Sequence, residues 1–182
     1  MSVRLTQTTV LALVAAGLVS ACSIVQEAPG EQGENWVEAR VTAPAYPSDG
    51  ALIPVDLGTR GDTFRYLIDT TSVSVGDDGV TRYTVVLVSQ GGGRNVLFEG
   101  IRCQTGSAKR YAFGVAGAFE SLQSSDWELI RQNGPRAYQF TLARGYLCTR
   151  RSLPFDAATA TSRLRQGGAP GFRDPDMGVF RW

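Results

Sequence analysis

The chain has 182 residues, with 18 basic and 17 acidic side chains and a formal net charge of +1. This balanced charge offers no extended basic surface, so we expect no nucleic-acid partner. The sequence contains no histidine, which excludes Ser-His-Asp and Cys-His catalytic sets and most zinc-hydrolase sites as these are usually built. We therefore expect no metal site, no cofactor and no complete set of catalytic residues.

Residues 1–21 have the three parts of a secretory signal peptide. A short polar start containing Arg4 precedes an apolar run over residues 9–19, which is shorter than the roughly 20 residues that span a bilayer. The motif Val19-Ser20-Ala21-Cys22 resembles the lipobox of bacterial lipoproteins, in which the cysteine sulfur accepts the lipid. The motif predicts cleavage before Cys22, lipid attachment to Cys22 (palmitate included) and a membrane anchor. A core helix and an ordinary secreted protein are the alternatives.

The residue after the predicted lipid site bears on the destination of the protein. Ser23 stands where an aspartate often marks retention in the inner membrane, by analogy with enteric sorting. We therefore expect a periplasmic chain that is anchored in the outer membrane.

The remaining chain divides into a tether and one domain. Residues 22–35 are rich in Glu, Gln, Gly and Pro, which is typical of a flexible tether. Residues 36–182 have the length of a single globular domain. At its start, residues 36–49 carry Pro44 and Pro47 with few periodic apolar positions, which predicts an extended segment lying on the domain.

The central part predicts an antiparallel β meander of four to five strands. Runs rich in β-branched and aromatic residues, separated by glycine-containing turns, are hairpin signals. Four such runs lie at residues 72–76, 81–89, 95–103 and 109–113, and residues 64–68 add a fifth. We interpret 77–79 and 91–93 as turns between strands, and not as a calcium site or a phosphate loop.

The strands at 81–89 and 95–103 are apolar on both faces, which predicts a sheet covered on both sides. Later residues are expected to form the cover, because helical patterns lie at residues 135–147 and 155–166. The fold class predicted is α+β.

Two cysteines remain after Cys22 is lipidated. In the oxidising periplasm, Cys103 and Cys148 predict a disulfide that closes a single domain. Two unrelated buried thiols are the alternative.

Glu99 is a carboxylate among apolar residues on a predicted central strand. It either pairs with an arginine such as Arg102 or Arg82 and orders the sheet, as buried charges usually do, or acts as a desolvated general acid. The candidate binding residues are Glu99, Arg102, Tyr83 and Tyr111. A glycan-acting enzyme that uses Glu99 or Asp126 is the catalytic alternative.

Two motifs carry a family resemblance. The hairpin Asp78-Gly79-Val80-Thr81-Arg82-Tyr83 and the later Glu99-Gly100-Ile101-Arg102-Cys103 resemble the cryptic-neisserial-protein-like (CNP-like) family of proteobacterial lipoproteins. The resemblance implies an envelope lipoprotein and carries no settled activity, substrate or catalytic residue. We therefore expect a membrane-anchored, non-enzymatic module that binds an envelope protein or peptidoglycan. The enzyme named above and a structural envelope lipoprotein are the alternatives.

Overall fold

The computed structural model describes residues 36–57 and 64–168. The predicted signal peptide, Cys22, the tether and residues 169–182 lie outside the described residues. Among the residues that the structure describes, none of the helices is both long and apolar enough to cross a membrane.

Seven antiparallel strands form one sheet in the described part of the chain. They are β1 (Leu52–Val55), β2 (Phe64–Val75), β3 (Val80–Ser89), β4 (Arg94–Arg102), β5 (Ser107–Val115), β6 (Ala118–Ser121) and β7 (Glu128–Leu129). Strands β1 to β6 lie side by side in chain order, and β7 pairs with the start of β5. The predicted antiparallel meander is confirmed, and the predicted count of four to five strands is too low.

The strand count differs for two physical reasons. The runs predicted at 64–68 and 72–76 belong to one strand, β2, whose register with β3 shifts between Asp69 and Ser74. Side chains bridge this bulge, since the Ser72 hydroxyl donates to the Asp69 carbonyl at 2.7 Å and accepts from the Thr84 amide at 2.8 Å. Strands β1, β6 and β7 have two to four residues each, too few for a recognisable alternation.

The predicted turns are confirmed where glycine adopts a left-handed conformation. Gly79 has φ 73° between β2 and β3, and Gly92 has φ 82° between β3 and β4. A further tight turn joins β5 to β6 through Ala116 and Gly117, both with positive φ. Two central residues with positive φ match the twist of the flanking strands.

Two helices cover one face of the sheet, as the sequence predicts. Helix α1 (Ala137–Leu142) continues into a π-helical turn (Ala143–Leu147), and α2 covers Ala157–Gln166. The Asp156 side chain caps the start of α2 by accepting from the Thr159 amide, and Gly167 ends it with φ 82°. We call this side of the sheet the helix face, and it holds the larger hydrophobic core.

A disulfide joins Cys103, just after β4, to Cys148, just after the π-helical turn. The predicted pairing is therefore confirmed. Because the two cysteines belong to different layers, the bond ties the helices to the sheet.

The other side of the sheet, here the opposite face, is covered in part by residues 36–48, which we call the N-terminal segment. This segment has no regular secondary structure, and Tyr46 lies 5.5 Å from Phe119 between ring centroids. Gly114 permits this contact, because a Cβ there would lie 2.8 Å from the Tyr46 ring. The extended segment is as predicted. The expectation that later residues form the cover is incomplete for this face, where Trp127 packs on the sheet together with the N-terminal segment.

Candidate functional site

Glu99 lies in the middle of β4 and points into the helix face, where its side chain is 0% exposed. Tyr83 on β3 and Arg110 on β5 are its direct neighbours across the two strand ladders. Helix α1 lies above it and contributes Tyr138 and Gln139. Three elements of the fold therefore meet at this carboxylate.

Both Glu99 oxygens accept several hydrogen bonds. Oε1 accepts from the Tyr138 hydroxyl at 2.8 Å and from Arg110 Nη2 at 3.1 Å and Nε at 3.2 Å. Oε2 accepts from the Tyr83 hydroxyl and from Gln139 Nε2, each at 3.1 Å. A buried carboxylate with this many donors is paired and satisfied, which suits an ordering role.

The arginine that pairs with Glu99 is Arg110, and neither Arg102 nor Arg82, which the sequence suggested. The register of the β4–β5 ladder explains the difference, since the pairs that begin at Arg102–Ser107 next to the turn continue without interruption to Glu99–Arg110. Phe98 pairs with Ala112, whereas Glu99 pairs with Arg110, so Tyr111 is an extra residue in β5. This β-bulge lies beyond the Glu99–Arg110 pair, as seen from the turn, and leaves that pair unchanged.

The electrostatics of the helix-face site hold its donors protonated. Burial raises the pKa of Tyr83 and of Tyr138 well above the usual value, and the charge of Glu99 raises both further. Burial acts to lower the pKa of Arg110, but the charge of Glu99, the hydrogen bonds to it and the nearby Tyr138 together outweigh this effect, and the pKa is raised. All three side chains therefore remain hydrogen-bond donors at neutral pH.

The sheet separates the four candidate binding residues. Glu99 and Tyr83 point into the helix face, whereas Arg102 and Tyr111 pack on the opposite face against Trp36 and Trp127. The four side chains consequently do not line one common cleft.

Arg102 is a buried arginine on the opposite face. It is 3% exposed, and its guanidinium carbon lies 4.0 Å from the centre of the Trp36 ring. Among the residues that the structure describes, none accepts a hydrogen bond from its Nε or Nη1 atom, and burial lowers the pKa of the guanidinium. Trp36 itself packs edge-to-face against Trp127, with centroids 5.8 Å apart.

Glu38 anchors the N-terminal segment beside this arginine. Its Oε2 accepts from Lys109 Nζ at 2.8 Å and from Trp127 Nε1 at 3.3 Å. Burial acts to raise the pKa of Glu38, but the hydrogen bonds and the charge of Lys109 outweigh it, and the pKa is lowered. The Tyr111 hydroxyl is close enough to affect this pKa, but it makes no well-formed hydrogen bond within the described ranges 36–57 and 64–168.

The turn between β2 and β3 provides a second anchor. Asp78 pairs with Arg82, and its carboxylate also accepts from the Ala39 amide at 2.9 Å. The Trp36 indole donates to the Asp78 carbonyl at 2.8 Å. The turn that the sequence predicts therefore holds residues 36–39 against the sheet.

A cleft of about 360 Å³ lies beside the N-terminal segment, between residues 41–43 and the loop that follows β6. Its polar lining includes Lys109, Tyr111, Ser121, Gln123, Ser124 and Asp126. This volume falls within the range of small-ligand sites, which combine an enclosed space with a few converging polar groups. Asp126 is the one carboxylate among its lining residues.

A protein-family model agrees with the motifs of the β2–β4 region. The model described as the CNP1-like family matches residues 31–165. The chain belongs to the CNP1-like family. The match confirms the resemblance inferred from the sequence. In this CNP1-like chain it covers the N-terminal segment, the sheet, α1 and α2 up to Arg165. No curated protein and no solved structure matches the chain. Within residues 36–57 and 64–168, no three potential metal ligands lie together.

Sequence reasoning missed the residues that build the opposite face of the CNP1-like domain. They are Trp36, Glu38, Lys109 and Trp127. The alternation of Trp36 and Glu38 around Val37 was an available signal, because side chains two apart on an extended segment share one side. No local sequence pattern indicates that Lys109 and Trp127 contact these two side chains.

Proposed function

We propose that this CNP1-like chain is a membrane-anchored periplasmic lipoprotein whose domain is a non-enzymatic binding module of the cell envelope. The lipobox motif at Cys22 supports the anchor. The Cys103–Cys148 disulfide suits an oxidising compartment. Ser23 after the lipid site favours the outer membrane.

The cleft beside the N-terminal segment carries this proposal. Its hydroxyl and amide groups, together with the charged residues Lys109, Arg110 and Asp126, suit a polar ligand that forms several hydrogen bonds. A packed sheet without such a cleft would have favoured a purely structural lipoprotein.

The carboxylates favour binding over glycan hydrolysis. Hydrolases of the usual kind hold two carboxylates about 5 to 10 Å apart around the scissile bond. Asp126 is the one carboxylate among the residues that line the cleft, and Glu99 is buried on the other side of the sheet. The two acids named in the catalytic alternative are therefore not a pair.

Photo-cross-linking in intact cells tests the cleft. A photoreactive amino acid at Ser124, in the cleft, is expected to give a discrete adduct with an envelope component. The same amino acid at Ala158, exposed on α2, is the control and should not give that adduct. In the Ser124-labelled protein, Asp126→Asn should lower the adduct yield, whereas Asp49→Asn, in an exposed ion pair with Arg94, should not. Identical adducts from both labelled positions, or none from Ser124, would contradict a binding cleft.

The anchor is tested by Cys22→Ser. Because the sulfur accepts the lipid and stable anchoring needs more than one acyl chain, the variant is expected to accumulate as an unprocessed or soluble precursor. Fractionation of cells followed by immunoblotting measures both outcomes. A variant that stays in the membrane fraction at the processed size would rule out the lipoprotein assignment.

A further inference from the structure

The N-terminal segment occupies the opposite face in the manner of a bound peptide. Trp36 and Glu38 both point to the sheet, and Val37 between them is 80% exposed. This alternation is the pattern by which extended peptides are read, since every second side chain enters the receptor. The receiving groups are the Arg102 guanidinium, the Trp127 ring and the Lys109 ammonium.

The segment does not satisfy the site that it covers. The Trp36 ring stacks on Arg102 by a cation–π contact, but a ring face offers no acceptor atom to the N–H groups of Arg102 at Nε and Nη1. Asp78 does not serve them either, because its carboxylate is engaged by Arg82 and the Ala39 amide. A buried guanidinium without acceptors is costly, so a ligand that supplied a carboxylate oxygen here would gain an interaction that the segment lacks.

Displacement of the N-terminal segment requires a ligand that makes an interaction with the site that the segment does not make. A ligand shifts an equilibrium only by the interaction energy that distinguishes the two states. Among the described residues, four hydrogen bonds hold residues 36–39 to the sheet, and none of them is fully buried. Lys109 and Tyr111 also line the neighbouring cleft, so removal of residues 36–39 would extend the cleft into one groove along the sheet.

We propose that Arg102, Lys109 and Trp127 form a recognition site for an extended acidic peptide. The peptide class carries an aromatic residue followed two positions later by a carboxylate, as the segment does, and a further carboxylate that supplies Arg102 with the acceptor that the segment lacks. The chain's own Trp36 and Glu38 occupy the site until such a partner displaces them. This inference rests on the binding function proposed above and names the class of partner.

A binding titration with a peptide tests the inference. The protein is the full mature chain in two forms, wild type and an opened form that carries Trp36→Ala with Glu38→Gln. The probe is a fluorescent peptide with the sequence of residues 36–42, Trp-Val-Glu-Ala-Arg-Val-Thr. A tethered segment competes at an effective concentration in the millimolar range. We therefore expect the opened form to bind the probe at least ten-fold more tightly than wild type does.

Matched substitutions show whether the named residues recognise the peptide. In the opened form, Lys109→Met should weaken probe binding about ten-fold, because it removes the partner of the peptide carboxylate. The control is Arg94→Gln. Arg94 is a cation at the start of β4 that pairs with Asp49, and its replacement should leave probe binding unchanged. A probe with glutamine in place of its glutamate should bind the opened form as weakly as the intact probe binds the Lys109→Met protein.

Two outcomes overturn the inference. One is an opened form that is folded, with its disulfide intact, and does not bind the probe; the other is equal binding by wild type and the opened form. If the opened form does not fold, hydrogen exchange of the wild-type Ala39 amide replaces it. Millimolar probe must then accelerate that exchange, and unchanged exchange contradicts displacement. A specific Ser124 adduct together with failure here would leave the binding function standing and remove only the peptide site.

Discussion

Replacing Glu99 with glutamine is expected to lower the free energy of unfolding by about 3 kcal/mol, at the lower end of the cost of breaking a buried ion pair from one side. The amide carries no charge for Arg110 and has one acceptor oxygen where the carboxylate has two, although donors meet both oxygens. The lower end applies because the Arg110 side chain is 33% exposed and water partly compensates it.

Urea unfolding at neutral pH, with the disulfide intact, measures this loss. The matched control is Glu128→Gln, which removes an ion pair with Arg136 at a site where both side chains are exposed. That variant should lose at most about 1 kcal/mol. Equal losses in the two variants, or no loss at Glu99, would contradict the ordering role and favour the catalytic alternative for this carboxylate.

Removal of the disulfide by Cys103→Ala with Cys148→Ala is expected to cost about 4 kcal/mol. The cysteines are 45 positions apart, and a loop of that size loses closure entropy of this order in the unfolded chain. Alanine is suitable because both sites are buried and apolar, so that no hydroxyl is left without a partner.

Comparison of oxidised and reduced protein provides the control. A reducing agent should destabilise the wild type by a similar amount and leave the double variant unchanged. A variant as stable as the oxidised wild type would mean that packing between β4 and the π-helical turn holds the layers together without the bond. Free thiols at both positions in periplasmic protein would contradict the pairing itself.

Several features of the fold were predictable because their causes are local. Gly79 and Gly92 adopt positive φ in the turns where the sequence places them, since glycine has no Cβ to clash there. Helix α2 ends at Gly167 for the same reason. The family motifs are also contiguous in the chain, and the family match over residues 31–165 agrees with them.

The candidate site was only partly predictable. Strand alternation alone places Glu99 and Arg102, three residues apart, on opposite faces, so the sequence already argued against a common cleft for them. Tyr83 faces Glu99 because of the β3–β4 register, which the confirmed turn at 91–93 sets. The composition of a three-residue glycine run, however, does not specify how the two flanking strands are aligned.

The sequence by itself determined the turns, the C-terminal end of α2, the two cysteines available for pairing and the family, because each follows from neighbouring residues or from counting. Only the tertiary structure decided which arginine pairs with Glu99, since the register of the β4–β5 ladder places Arg110 opposite it. The tertiary structure also decided that Trp36 and Glu38 meet Arg102, Lys109 and Trp127. These contacts join residues about 65 to 90 positions apart, and local conformational preference does not act over such separations.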